Sequence, residues 1–328
     1  MERRDLGRTG LRVTPFGLGL AALGRPAYIT TGREEDLGAG ADRSMEAMEN
    51  RSHEVLDAAW AAGIRYLDAA RSYGYAERFV ASWLRARSID PVDVTVGSKW
   101  GYRYVGEWRI DAPVHEVKEH SLAMLRRQLP ESRHLLGPWL GLYQVHSATL
   151  ESGILADGAI LAELARLRAE EGLVIGLTVS GPRQAEVIGA ALEVRVHGVN
   201  PFASVQATWN LLEPSAAAAL AEAHDAGWGV VVKEAIANGR LLEDDERLTP
   251  IAVAAARHGT TRDAVALAAA LAQPWADVVL SGAATPDQLQ ANVKARDVEL
   301  APEEVEQLRT LAETPHDYWA ARSARAWA

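Results

Sequence analysis

Eight short apolar or β-branched runs recur along this chain, and the intervals between them carry stretches of helical period. This alternation narrows the possible folds more than any other feature. The runs cover residues 15–20, 65–68, 94–98, 142–145, 174–178, 204–206, 229–233 and 278–281. The patterns between them include 114–129, 154–170, 215–226 and 261–271, all rich in the strong helix formers Ala, Leu, Arg and Glu. Strict strand and helix alternation requires crossover connections and therefore a parallel sheet. Eight repeats close such a sheet into an α/β (β/α)8 barrel of the TIM type, with its functional groups at the C-terminal ends of the strands. The 328 residues would suffice for two domains, but barrels of this class commonly use about 250 residues or more as one. The reading is a single domain over residues 1–328.

Three polar residues close strands of this set, and a fourth follows five residues after one of them. Asp68 closes the second run in GIRYLDAARSYGYAERF, and Tyr73 lies five residues on, in the loop before a helix that starts at Ala76. Lys99 closes DVTVGSKW, and His146 closes GLYQVH. Ionisable groups at the ends of buried parallel strands are costly unless paired or used. A phenol with an ordinary pKa near 10 can pass a proton to a developing alkoxide, and a neighbouring ammonium eases this by stabilising phenolate. Lys99 is the candidate cation, Asp68 the group that holds it charged, and His146 the group that orients a carbonyl oxygen. Each residue also has an ordinary structural reading: a buried ion pair for Asp68 and Lys99, a loop anchor for Tyr73, a core histidine for His146. The four together point to a catalytic site.

These segments resemble the aldo-keto reductases, whose signature pieces are an Asp and a Tyr in GxRxxDxAxxYGxAE, a Lys in SK and a His in LYQxH. The resemblance runs from LGRTGLRVTPFGLGL to SGAATPDQLQANVKA. It implies a barrel plugged at its base by a hairpin of MERRDL and LRVT; the Gly- and Pro-containing stretch 24–44 reads as a long loop after the first barrel strand, residues 302–311 as a helix and 312–328 as a C-terminal tail. It also implies hydride transfer between a nicotinamide and a carbonyl, alcohol or sugar substrate, with Tyr73 as general acid and base. The segment Gly17, Gly19, Ala22 matches a dinucleotide fingerprint, but Gly24 and Pro26 stand where the phosphate-binding helix would run, so the match is rejected.

The resemblance places the cofactor across the barrel mouth and carries over unevenly. It implies contacts from Gly19, Leu20, Asp68, Thr178, Gln206, Lys233, Gly239, Arg240, Gly282, Ala283, Gln288 and Asn292. Gln206 matches the family's nicotinamide-binding amide. Thr178 replaces the usual Ser, and Val179 the Asn beside it. Lys233 stands where an aromatic normally stacks on the nicotinamide, and Trp209 is a substitute for that surface. At the adenosine end, Gly282, Ala283 and Gln288 occupy positions where NADP-preferring members carry cations that clamp the 2′-phosphate. Arg240 and Arg296 are the nearby cations. Either NADP(H) or NAD(H) fits this pattern, and weak discrimination or an NADH preference is expected. Trp100, Tyr102, Tyr104 and Trp108 after Lys99, and His316, Tyr318, Trp319 and Trp327 in the tail, are candidates for the pocket wall.

Composition limits the alternatives. A net charge of −10 and the absence of Lys/Arg clusters exclude a general nucleic-acid or anionic-membrane surface. With no cysteine, thiolate metal sites and cysteine nucleophiles are excluded. The N-terminal MERRDLGRTG lacks the apolar core of a signal peptide, and no uncharged run reaches about twenty apolar residues, so a soluble cytoplasmic protein is expected. Two competing functions remain open: a barrel aldolase using Lys99 as a Schiff-base nucleophile, and a cofactor-binding regulatory subunit with little turnover.

Overall fold

The computed structural model describes residues 1–30, 32–38 and 40–327. Thr31 and Ala39 of the long loop and Ala328 of the tail lie outside the described residues. The chain opens with an antiparallel hairpin of β1 (Arg4–Asp5) and β2 (Arg12–Val13). The barrel begins with β3 (Phe16–Gly19), β4 (Tyr66–Asp68) and β5 (Thr95–Trp100). A second antiparallel hairpin, β6 (Tyr102–Tyr104) and β7 (Glu116–Lys118), leaves the mouth. The barrel then continues through β8 (Leu140–Ala148), β9 (Val174–Val179), β10 (Ser204–Thr208), β11 (Gly229–Lys233) and β12 (Val278–Ser281). All neighbouring barrel strands are parallel, and β12 pairs with β3 to close the circle. The eight runs read from the sequence are these eight strands.

Burial explains why the strands read so clearly. With helices covering the outside and side chains filling the inside, both faces of a parallel sheet leave water and the runs stay apolar throughout. The base is sealed by the first hairpin, whose Val13 and the adjoining Leu6 are fully buried against Tyr66, Leu142, Val231 and Val278. Arg4 reinforces the plug by donating to the carbonyls of Ala276 and Asp277.

One expected helix is corrected. Residues 114–118 belong to the β6–β7 hairpin, because Glu116 to Lys118 pair across to Tyr104 to Tyr102. The helix begins instead at Leu122, where the Ser121 hydroxyl accepts from the Met124 N–H, and runs to Leu136 through Pro130. A mid-helix proline removes one backbone bond. The buried stripe of Leu125, Leu129, Ser132 and Leu136 keeps the helix on the barrel regardless. The long loop also holds a short helix, Arg33–Leu37, before the helix Met45–Ala61. The tail folds as the helix Pro315–Ser323, buried through Tyr318 and Trp319 against Leu211, Leu241 and Ile251. No helix among the described residues is long and apolar enough to cross a membrane.

The plug generates the first prediction. Leu6→Ala should lower unfolding free energy by about 2–5 kcal/mol, since it leaves a cavity under a rigid strand ring. The midpoint of urea unfolding measures this, and a change under 0.5 kcal/mol or so would show that the hairpin is not part of the cooperative core.

Candidate active site

Lys99 and Asp68 meet inside the barrel mouth because β4 and β5 are hydrogen-bonded neighbours in register. The Lys99 ammonium, fully buried, donates to Asp68 Oδ2 and, at 2.8 Å, to the Ala69 carbonyl. Asp68 Oδ1 accepts from Gln206 Nε2 at 2.9 Å, and the Gln144 amide and the Tyr66 hydroxyl stand 3.5 Å from it. Burial pulls the Lys99 pKa below its ordinary value, and Asp68 opposes that shift.

Tyr73 is placed over this pair by the turn that follows β4. The Lys99 ammonium lies 4.7 Å from the centre of its ring. Its loop is locked to the loop after β3: Tyr75 N donates to the Gly24 carbonyl at 2.7 Å, and a methyl group added at Gly24 would lie 2.2 Å from the Tyr73 carbonyl. Burial and then the Asp68 charge push the phenol well above 10, so Tyr73 is a neutral proton donor at physiological pH.

His146 completes the group. Its ring makes an edge contact with Tyr73 at 5.4 Å and lies 4.9 Å from Tyr102. Strand β8 is irregular here, with its register against β9 shifting between Val145 and Ala148 and with Ser147 at φ +52. Bulges of this kind re-aim side chains beside active sites. Thr178 holds the bulge, its hydroxyl accepting from Ser147 N at 2.6 Å, and His120 Nε2 holds the His146 carbonyl at 2.8 Å. The Ser72 hydroxyl engages His146 Nδ1 at 3.3 Å, which leaves Nε2 for a ligand. Burial first, then the charges of Lys99 and Arg25, hold the imidazole well below its usual pKa and therefore neutral.

Asp68, Tyr73 and His146 line a cavity of about 410 Å³ at the strand C-terminal end, whereas Lys99 lies behind them. Gly19, Thr178, Gln206, Lys233 and Gly282 line the same cavity. Leu20, Gly239, Arg240, Ala283, Gln288 and Asn292 do not. Leu20 is fully buried in the core, and Gly239 follows the lining Asn238 at φ +90. Arg240 is bound through both terminal nitrogens by Glu313 at 2.5 and 3.0 Å. Gln288 bonds Asp36 and the Ala284 N–H, and Asn292 meets the Ser281 hydroxyl at 2.9 Å.

Among the aromatic candidates, Tyr102 and Trp327 reach the cavity. Trp100 is buried in the core, and Trp108 packs on Tyr75 and Phe79. Trp209 packs edge-on against Trp275 at 5.9 Å and lines a separate apolar cavity, so it offers no surface to a nicotinamide here. Lys233 is largely buried at the cavity wall: it donates to Thr208 Oγ1 at 2.6 Å, beside a Glu234 held by Arg322 of the tail helix at 2.5 Å. Sequence reasoning missed Arg25, Glu116, Glu234 and Arg322, all of which line the cavity. The signal for Glu234 was its place directly after a strand; the other three have no local signal.

Burial lowers Lys233 to about 8. Between pH 8 and the ordinary lysine value the unfolded chain therefore binds the proton that the folded chain has released, and stability rises with pH across that window. Wild type should gain on the order of 3 kcal/mol relative to Lys233→Met from pH 7 to pH 10.5. Paired urea titrations at several pH values test this, and parallel curves would mean that Lys233 titrates normally.

The family model for the aldo/keto reductase family matches residues 37–313. A pyridoxal 4-dehydrogenase of Microbacterium luteolum is 30% identical over 166 residues, 44% of this chain and 43% of that protein. Aldo-keto reductase str7 of Strobilurus tenacellus is 26% identical over 346 aligned positions, covering 95% and 92% of the two chains. In three dimensions the chain is similar to the holo form of aldo-keto reductase AKR11C1 from Bacillus halodurans, with a TM-score of 0.68 at 22% identity over 96% of this chain and 97% of that one.

Proposed function

Because the chain belongs to the aldo/keto reductase family, we propose that it is an NAD(P)(H)-dependent oxidoreductase interconverting a small carbonyl compound, such as an aldehyde, ketone or sugar, and its alcohol, with Tyr73 as general acid and base. The observation that carries this reading is the Tyr73 ring: it lines the cavity on one side and has the buried Lys99 ammonium 4.7 Å from its centre on the other. A phenol so placed releases its proton to an oxygen in the cavity while the ammonium stabilises the phenolate left behind. Asp68 keeps that ammonium protonated against the pull of burial. The neutral His146, held by Ser72 at Nδ1, orients the substrate oxygen by a hydrogen bond that needs no charge.

The cavity residues fit a nicotinamide. A methyl group added at Gly282 would meet nothing within 4 Å, and one at Gly19 only the Ser281 carbonyl at 3.5 Å and the Leu280 side chain at 4.0 Å, so the backbone is open to close approach from the cavity. Gly19, Asp68, Thr178, Gln206, Lys233 and Gly282 would hold the nicotinamide half. Leu20, Gly239, Arg240, Ala283, Gln288 and Asn292 would be met by the remainder. When bound, the nicotinamide supplies or accepts the hydride. The Glu313 carboxylate occupies both terminal nitrogens of Arg240, which supports weak discrimination between NADPH and NADH, or an NADH preference. A cytoplasmic location goes with this reading. The aldolase alternative loses support from the placement of Lys99, which is fully buried and lies behind Tyr73 rather than on the cavity wall.

Two measurements test the proposal. Calorimetric titration with NADPH and NADH should show binding of both within about tenfold, a difference of about 1.4 kcal/mol, or tighter binding of NADH; a strong NADPH preference refutes the reading of Arg240. Tyr73→Phe should bind cofactor as wild type does and lose turnover by roughly 10²–10⁴-fold; retained turnover would remove Tyr73 from the mechanism.

A further inference from the structure

We propose that Arg25 and Glu116 form a recognition pair that selects a neutral carbonyl substrate bearing hydroxyl groups beside the reacting carbon, a hydroxyaldehyde or sugar, over anionic and purely apolar carbonyl compounds. The proposal rests on the oxidoreductase reading and adds the substrate class to it.

Arg25 follows the first barrel strand, and its side chain is only 3% exposed. Nε donates to the Ala21 carbonyl at 3.1 Å, and Nη1 donates to the Ser72 carbonyl at 3.3 Å and to Glu116 Oε1 at 2.5 Å. Nη2 makes no hydrogen bond among the described residues, and neither does Glu116 Oε2. Both side chains line the cavity that holds Tyr73 and His146. The guanidinium carbon lies 5.1 Å from the centre of the Tyr73 ring, so the pair is beside the reacting position. A buried guanidinium is stable only where its donors are used. The two N–H groups of Nη2 and the Oε2 acceptor are therefore the polar groups that the pair offers to a substrate in that cavity.

The charge balance decides what kind of substrate. Glu116 neutralises Arg25. Arg325 is paired with Glu243, while Arg322 and Lys233 share the single carboxylate of Glu234 further along the wall. At the Arg25 side of the cavity, beside Tyr73, an anionic substrate would meet a guanidinium already neutralised and would face the Glu116 carboxylate. A hydroxylated neutral one satisfies both open atoms, its oxygen accepting from Nη2 and its hydroxyl donating to Oε2. A purely apolar one would strip water from both and return no hydrogen bond, which sites of this kind reject strongly. The remaining walls suit a compact oxygenated ligand: Tyr28 and Trp327 lie 5.1 and 4.5 Å from the guanidinium, and Trp327 is fixed by stacking on His115 at 4.3 Å.

The test compares kcat/KM of the full chain for glyceraldehyde, propanal and glyoxylate, with glycerol and 1-propanol for the oxidative direction. Wild type should favour glyceraldehyde over both others by at least about tenfold. Arg25→Leu should bring the glyceraldehyde-to-propanal ratio towards one, chiefly through KM. Glu116→Gln keeps the side-chain volume and uncovers the Arg25 charge, so glyoxylate should gain about tenfold relative to glyceraldehyde. Misfolding cannot produce that gain. A wild type that prefers propanal or glyoxylate, or variants that leave both ratios unmoved, would overturn the pair's role while the oxidoreductase reading stands. Absence of cofactor binding and of turnover in both directions would overturn that reading, and this inference with it.

Discussion

The Lys99–Asp68 contact is the constraint from which the rest of the site follows. Both groups are removed from water, and a buried pair survives only when geometry and further hydrogen bonds repay its desolvation. The barrel meets that demand from four strands. Lys99 comes from β5 and Asp68 from β4, while Gln144 of β8 and Gln206 of β10 turn their amides towards Asp68 Oδ1. Loss of either charge would strand the other inside the barrel, at a cost of about 3–5 kcal/mol. On the proposed reading, Tyr73 then owes its role to position: its neighbours make its proton transferable, and the turn locked by Gly24 keeps it above them.

Strands and their terminal residues were legible in the sequence because both depend on local order. A strand buried on two faces must be continuously apolar, so an aspartate or lysine at its end stands out. The corrected segment shows the limit of that logic. Residues 114–118 carry no period that separates helix from strand, and only pairing with Tyr102 to Tyr104 decides the matter. The same holds for Arg25, Glu116 and Arg322. Arg25 meets its carboxylate 91 positions away, and Arg322 meets Glu234 88 positions away. No window along the chain contains both partners. Trp209 failed as a cofactor surface for a related reason: its ring faces outward from the barrel, and side-chain direction at a strand end is set by pleat and packing rather than by distance from Gln206.

Lys233 shows how a departure from a family pattern can be compensated within the fold. Where an aromatic ring would need only an apolar neighbour, a lysine needs a charge partner and acceptors. Glu234 supplies the charge despite a backbone at φ +58, an unfavourable conformation for a side chain of its size. Burial works against ionised Glu234, yet Arg322 and Lys233 together hold its pKa down to about 2. The strained backbone persists because Arg322 grips both carboxylate oxygens.

That grip ties the tail to the barrel and so separates two kinds of work. Asp68, Lys99 and His146 sit on strands whose positions are fixed by the closed sheet, and Tyr73 on the turn that follows one of them. Arg25, Glu116, Arg322 and Trp327 come from loops, the outer hairpin and the tail, where change is tolerated without disturbing the core. The proposed roles thereby put reaction chemistry and substrate choice in different parts of one cavity. The loops can be positioned precisely only because they anchor on the rigid part: Arg25 on the Tyr73 turn through the Ser72 carbonyl, and the tail on the end of β11 through Glu234. On the proposed reading, selectivity in this barrel is therefore built on the same strand ends that carry the proton transfer, and because the loop of Gly24 and Arg25 holds the Tyr73 turn, a change in that loop bears on both.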